Sequence, residues 1–205
     1  MRVHRRWFLA IAVLLLPLFL LVVAKARGDR EETTVRWDII SLQPPPPAAP
    51  RNVLPGGFAS ARANDGSKIT LTGSGTFERG EADDVTGGGT WKTFSPTGAQ
   101  TGSGTFRVKK LVRFEAAPGT QPAGNIDRIG TEATVSAGLV VLRIAYSDGS
   151  KGTLIVSCHL AGTPDSVFEG ITATKGFVGF WNREAPLDRV DANRTVFHFV
   201  PENED

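Results

Sequence analysis

Thr72-Gly73-Ser74-Gly75-Thr76-Phe77 recurs as Thr86-Gly87-Gly88-Gly89-Thr90-Trp91 and again as Thr101-Gly102-Ser103-Gly104-Thr105-Phe106. The spacings of 14 and 15 residues hold one strand and one connection, too little for a propeller blade or a helical solenoid unit. Consecutive strands joined this way form an antiparallel meander, each carrying Gly-x-Gly, then Thr and an aromatic. Glycine weakens a strand, so its repetition marks bends, bulges or close backbone approach. At one level on three neighbouring strands it bends the whole sheet, while the aromatic covers the exposed backbone. The expected fold is therefore all-β, a meander closing into a small, about eight-stranded β-barrel, with a sandwich as the alternative.

Turn signals extend the meander in both directions. Asn64-Asp65-Gly66-Ser67 joins Phe58–Ala63 to Lys68–Phe77, and Ser147-Asp148-Gly149-Ser150 joins Leu139–Tyr146 to Thr153–Leu160. The second hairpin is rich in Val, Ile and Leu on both flanks and is predicted to be the most buried part. Val35–Leu42 reads as a first strand and Thr195–Val200 as a last one. Between the first strand and residue 55 lies Pro44–Pro47 with Pro50, a polyproline-like spacer or a chain crossing the outside of the domain.

The first 26 residues belong to a different class. Arg2, Arg5 and Arg6 precede the apolar run Phe8–Ala24, and Ala24-Lys25-Ala26 supplies a small-x-small cleavage pattern. They read as a signal peptide or, if uncleaved, an N-terminal membrane anchor. Either way the remainder is exported: secreted, periplasmic or at the cell surface. The expected division is 1–26 leader, 27–54 N-terminal strand and Pro-rich spacer, and 55–205 barrel. Without the leader, Lys+Arg falls from 23 to 19 against 21 Asp+Glu, which excludes a generally basic nucleic-acid binder. A single Cys158 forms no intrachain disulfide and reads as a small buried hydrophobe.

Motifs of chemistry are sparse. Gly-x-Gly here lacks the following helix and third glycine of a dinucleotide loop, and no Walker sequence or GxSxG elbow occurs. His159 and Cys158 are strand neighbours on opposite faces, and no HExxH or CxxC exists, so neither a metal site nor a cofactor is expected. Asp83-Asp84 and the hairpin aspartates have turn chemistry as their explanation. Asn193-Arg194-Thr195 spells a glycosylation acceptor and Arg27-Gly28-Asp29 an adhesion tripeptide, both short enough to arise by chance.

The densest stretch is Cys158–Glu184. Thr163-Pro164-Asp165 can start a short helix, or Val167–Thr174 and Phe177–Trp181 form a hairpin across Lys175-Gly176. Candidate ligand-binding residues are Trp91, His159, Glu169, Phe177, Trp181 and Arg183, with ion pairs and core filling as the competing account. No catalytic residue is assigned.

Over Ile69–Phe77, Val85–Trp91 and Ser157–Glu184 the chain resembles a group of exported bacterial proteins of unknown function. The glycine-and-aromatic strands are reminiscent, in architecture alone, of calycin-like, allene-oxide-cyclase and dirigent-type barrels, and no site residue is carried over. Three readings follow. The first is a monomeric or weakly associating barrel holding a small apolar or amphipathic ligand. The second is a structural or adhesive surface module whose core is filled by its own side chains. The third is a cofactor-free cyclase or isomerase in which Glu169 assists. No nucleic acid is expected as a partner, and a membrane only through an uncleaved leader. Oligomeric state is left open. The first and third readings need an interior cavity of roughly 300 Å³.

Overall fold

A computed structural model describes residues 34–200, so the leader, the adhesion tripeptide and the acidic tail lie outside the described residues. Fourteen strands run in chain order: β1 Thr34–Gln43, β2 Arg51–Pro55, β3 Ala59–Arg62, β4 Lys68–Leu71, β5 Ser74–Glu78, β6 Gly88–Phe94 and β7 Gln100–Ala117. They continue with β8 Asn125–Asp127, β9 Val135–Tyr146, β10 Lys151–Cys158, β11 Gly170–Lys175, β12 Val178–Phe180, β13 Asn182–Arg183 and β14 Arg194–Val200.

The repeat forms the predicted meander. β5, β6 and β7 are neighbours, with Ser74 opposite Gly88 and Trp91 opposite Gly104. Two of the repeat aromatics lie opposite a glycine of the adjacent strand, Trp91 opposite Gly104 and Phe106 opposite Gly89, and Trp37 of β1 does the same. Trp37 is paired with Gly75, where an added Cβ would come within 2.9 Å of the indole Nε1 and 2.3 Å of the Thr86 carbonyl. Trp91 is paired with Gly104, whose Cβ would meet the Trp91 Nε1 at 2.9 Å. Glycine is required here by close approach, not by turn geometry.

β7 then pairs with β9 from Phe106–Tyr146 to Ala117–Ala137, β9 with β14, β14 with β1, and β1 with β5. The result is a closed antiparallel barrel of 6 strands with outer strands, smaller than the eight expected. The difference comes from strands that change partners midway. At Thr72-Gly73 the long β4–β5 run bends, so β4 pairs with β3 while β5 pairs with β1. Likewise β9 pairs with β14 at Ser136 and with β10 from Gly138 onward. β3 and β4 thus leave the ring, as do β10, β11 and β12, and the two sets meet where β3 packs on β11.

Both predicted hairpins form, with Arg62 opposite Lys68 and Ala145 opposite Lys151. Leu142, Leu154 and Val156 of the β9–β10 hairpin are wholly buried. Two expectations need correction. β1 is a stave of the ring, so the barrel does not begin at residue 55; the first and last strands of the described domain close it. Residues 163–168 form no helix, and the alternative hairpin forms as β11–β12, with Lys175 opposite Val178. The Pro-rich segment crosses the outside between β1 and β2, where the Pro46 carbonyl accepts from the Arg189 N–H at 2.6 Å.

The ring strands and β3, β4, β10, β11 and β12 share one core, which includes Val35, Trp37, Leu71, Phe77, Trp91, Phe106, Leu142, Cys158 and Phe197. Phe114 joins it with ring centroids 5.1 Å from Phe77 and 5.4 Å from Phe197. A second, small core of Ile40, Leu42, Val53 and Val196 lies on the outer face of β1 and β14, under β2 and Ile129. Parallel pairing of β8 with β2 holds that cover in place.

Candidate functional site

The Cys158–Glu184 stretch does not converge on one pocket. Glu169 lies just before β11, and its carboxylate joins three segments. Oε2 accepts the His159 N–H at 2.5 Å, and Oε1 accepts the Thr195 N–H at 2.5 Å and the Thr195 hydroxyl at 3.3 Å. Burial pushes the Glu169 carboxyl up to about 8, against the pull of those donors and of Arg194. The His159 ring contributes nothing to this carboxylate, because its Nδ1 engages the Val167 carbonyl at 2.7 Å. Cys158 is fully buried, and burial with the nearby Glu169 raises its thiol well above the ordinary value. Both Glu169 oxygens are occupied by the chain's own donors, so the cluster ties the Val167–Gly170 segment to β10 and β14.

The aromatic candidates separate. Trp91 is in the core, its Nε1 donating to the Thr105 carbonyl at 3.1 Å. Lys175 closes that end of the core with its ammonium 4.3 Å from the Trp91 ring and 5.1 Å from the Tyr146 ring. The same ammonium bonds Asp148 and holds that carboxyl down to about 2. Phe177, by contrast, is 102% exposed at the tip of the β11–β12 hairpin, and Trp181 is 54% exposed against Gly179. Arg183 stands over the Phe168 ring at 5.7 Å. Asn193, the glycosylation candidate, is buried with φ 60 and spends its amide on the Ser60 N–H and the Ala185 carbonyl.

The buried polar cluster on the far side of the sheet was not singled out from the sequence. On the outer face of β1 and β14, His198 Nε2 lies 2.7 Å from Asp127 Oδ2, with side-chain exposures of 3% and 5%. Asp127 Oδ1 accepts the N–H groups of Ile129 and Gly130 at 2.8 and 3.1 Å. Burial works to raise the Asp127 carboxyl, and these donors with His198 bring it below the ordinary value. Beside it, Arg36, opposite His198 in the register, grips the wholly buried Asp38 through two bonds of 2.7 and 2.9 Å. The signal was present in Val35-Arg36-Trp37-Asp38-Ile39, where alternation puts two opposite charges on the face away from the core. What covers that face, residues 125–130, is set by tertiary structure.

An open depression of about 430 Å³ lies on the outside of the fold, lined by Pro45, Pro46, Pro47, Ala48 and Arg189. No family model matches the chain, and neither does any curated protein or solved structure.

Proposed function

We propose that the protein is an exported β-barrel module, structural or adhesive in role, that works through its outer surface. The observation that carries this reading is the filled interior: Trp37, Phe77 and Phe197 are each at most 1% exposed, and Phe114 bridges the last two. Six staves enclose less volume than the eight at which a barrel begins to hold one small ligand. Glu169, the acid of the cyclase reading, is engaged on both oxygens by backbone donors.

Native mass spectrometry on protein recovered from an exporting host tests this. The reading predicts the bare chain mass and no thermal shift with uncharged terpenoids or quinones. A reproducible adduct lost on denaturation would favour a ligand-carrying barrel instead. A Pro46→Ala variant in the outer depression separates a surface ligand, which it would release, from one held inside the barrel.

A further inference from the structure

Charge is segregated on this domain. Residues 34–200 carry seventeen Lys+Arg and fifteen Asp+Glu, yet β7 and β9–β13 together hold eight cations and one carboxylate, Glu115. Six of the eight are exposed on adjoining strands: Arg107, Lys109, Lys110, Arg113, Arg143 and Lys151. Register makes them one surface. Arg107 is opposite Ala145, Ala145 opposite Lys151, and Lys110 directly opposite Arg143. Like charges in directly opposed positions destabilise a sheet. Only Lys110 and Arg113 have carboxylate partners among the described residues, Asp83 at 3.4 Å and Glu115 at 2.8 Å.

Two irregularities in β7 add to this face. The register shift between Val108 and Lys110 exposes Lys109 as well as Lys110, and the shift between Leu111 and Arg113 exposes Val112, 53% accessible among the cations. At the far edge the Gly176 N–H bonds the Lys151 carbonyl at 2.9 Å, which sets the fully exposed Phe177 beside Lys151, with Trp181 following. A cationic sheet face thus ends in apolar and aromatic side chains.

We propose that the outer face of β7–β9–β10, with Phe177 and Trp181 at its rim, docks on an anionic lipid bilayer. Lys and Arg side chains answer the negative headgroups, while Val112, Phe177 and Trp181 reach the acyl boundary. A polyanion in water satisfies the cations and leaves Val112 and Phe177 wet, so the bilayer fits the whole surface. This deepens the reading of an exported module that works through its exterior. The two fail separately, since a ligand inside the barrel would leave vesicle binding unchanged.

The test is co-sedimentation of protein from an exporting host with vesicles of phosphatidylcholine alone and of phosphatidylcholine with phosphatidylglycerol. Neutral vesicles measure any contribution of a retained leader. The expected result is a partition coefficient that rises with phosphatidylglycerol and falls with salt. It should drop about a hundredfold in R107Q/R143Q/K151Q, at about fivefold per cation, and about tenfold in Phe177→Ser. All four positions are exposed, so unchanged melting confirms folded variants. Equal partition into the two vesicle types, or a triple variant that binds like the parent, overturns the proposal. Retention on dextran sulfate with no effect of Phe177→Ser overturns it in favour of a soluble polyanion.

Discussion

Where β5, β6 and β7 meet, the barrel is held by backbone brought so close that only glycine fits, with aromatics laid across the gap. Where β14 meets residues 125–130, it is held by a buried imidazole and carboxylate, a clamped arginine and a small secondary core. The first region is specified by shape and the second by paired polarity. Shape fails whenever volume is added; paired polarity fails when one partner is removed or titrated. Substitutions and pH separate the two.

The largest effect is expected from Gly89→Ala. Its Cβ would lie 1.9 Å from the Thr72 carbonyl and 2.7 Å from the Gly73 Cα, with no flexible side chain able to yield. A loss of about 3 kcal/mol or more is expected in urea unfolding, enough to leave little folded protein. A midpoint near the parent's would remove close approach as the basis of the repeat.

Asp127→Ala comes next. It leaves His198 buried with neither ring nitrogen satisfied, because Nδ1 already has no partner among the described residues. A loss of about 2 kcal/mol is expected, and Asp127→Asn, which keeps an acceptor, should restore part of it.

The pH dependence sharpens the contrast further, because the two buried carboxyls have opposite signs. The Asp127 carboxyl is lowered on folding, so its contribution is present above the ordinary carboxylate range and is lost as pH falls through its folded value. Glu169 is raised to about 8, so its contribution is complete below its ordinary value of 4.5 and is lost as pH rises toward 8. The stability maximum should therefore lie on the mildly acidic side of neutrality. Glu169→Gln is expected to flatten the decline between pH 5 and 8, and Asp127→Asn the decline in acid. Urea midpoints measured across pH in parent and both variants check the assignment. A Glu169→Gln profile parallel to the parent's would contradict it.

The smallest effect belongs to Phe177→Ser. A side chain with full exposure contributes nothing to the core, so melting should shift by less than about 0.5 kcal/mol equivalent. A larger loss would mean that the hairpin tip packs on a neighbouring surface.

The same contrast decides what was legible in the sequence. Gly-x-Gly-Thr-aromatic announces its own neighbours, because strands of one meander adjoin in sequence and in space. The hairpins at Asn64–Ser67 and Ser147–Ser150 were readable for the same reason. Ring size was not, since it depends on β4–β5 and β9 exchanging partners partway along. His198 and Asp127 are 71 residues apart and meet only because the segment after β7 folds back over β14. Glu169 was named as a ligand-binding candidate; its partners in the fold are backbone N–H groups, which carry no sequence signal. Phe177 and Trp181 were candidates to line a pocket, with core filling as the alternative. The β11–β12 hairpin puts Phe180 inward and those two outward, the face exchange that alternation dictates once the register is fixed.

The barrel interior is filled by its own side chains. Crystallographic density inside the six-stranded ring, for protein recovered from an exporting host, tests it most directly. Phe114 is expected packed on both Phe77 and Phe197, with Trp37 enclosed in the same core and no further density among these side chains. Additional density among those rings, with any of them turned aside to admit it, would contradict a filled interior and return the protein to the ligand-carrying barrels.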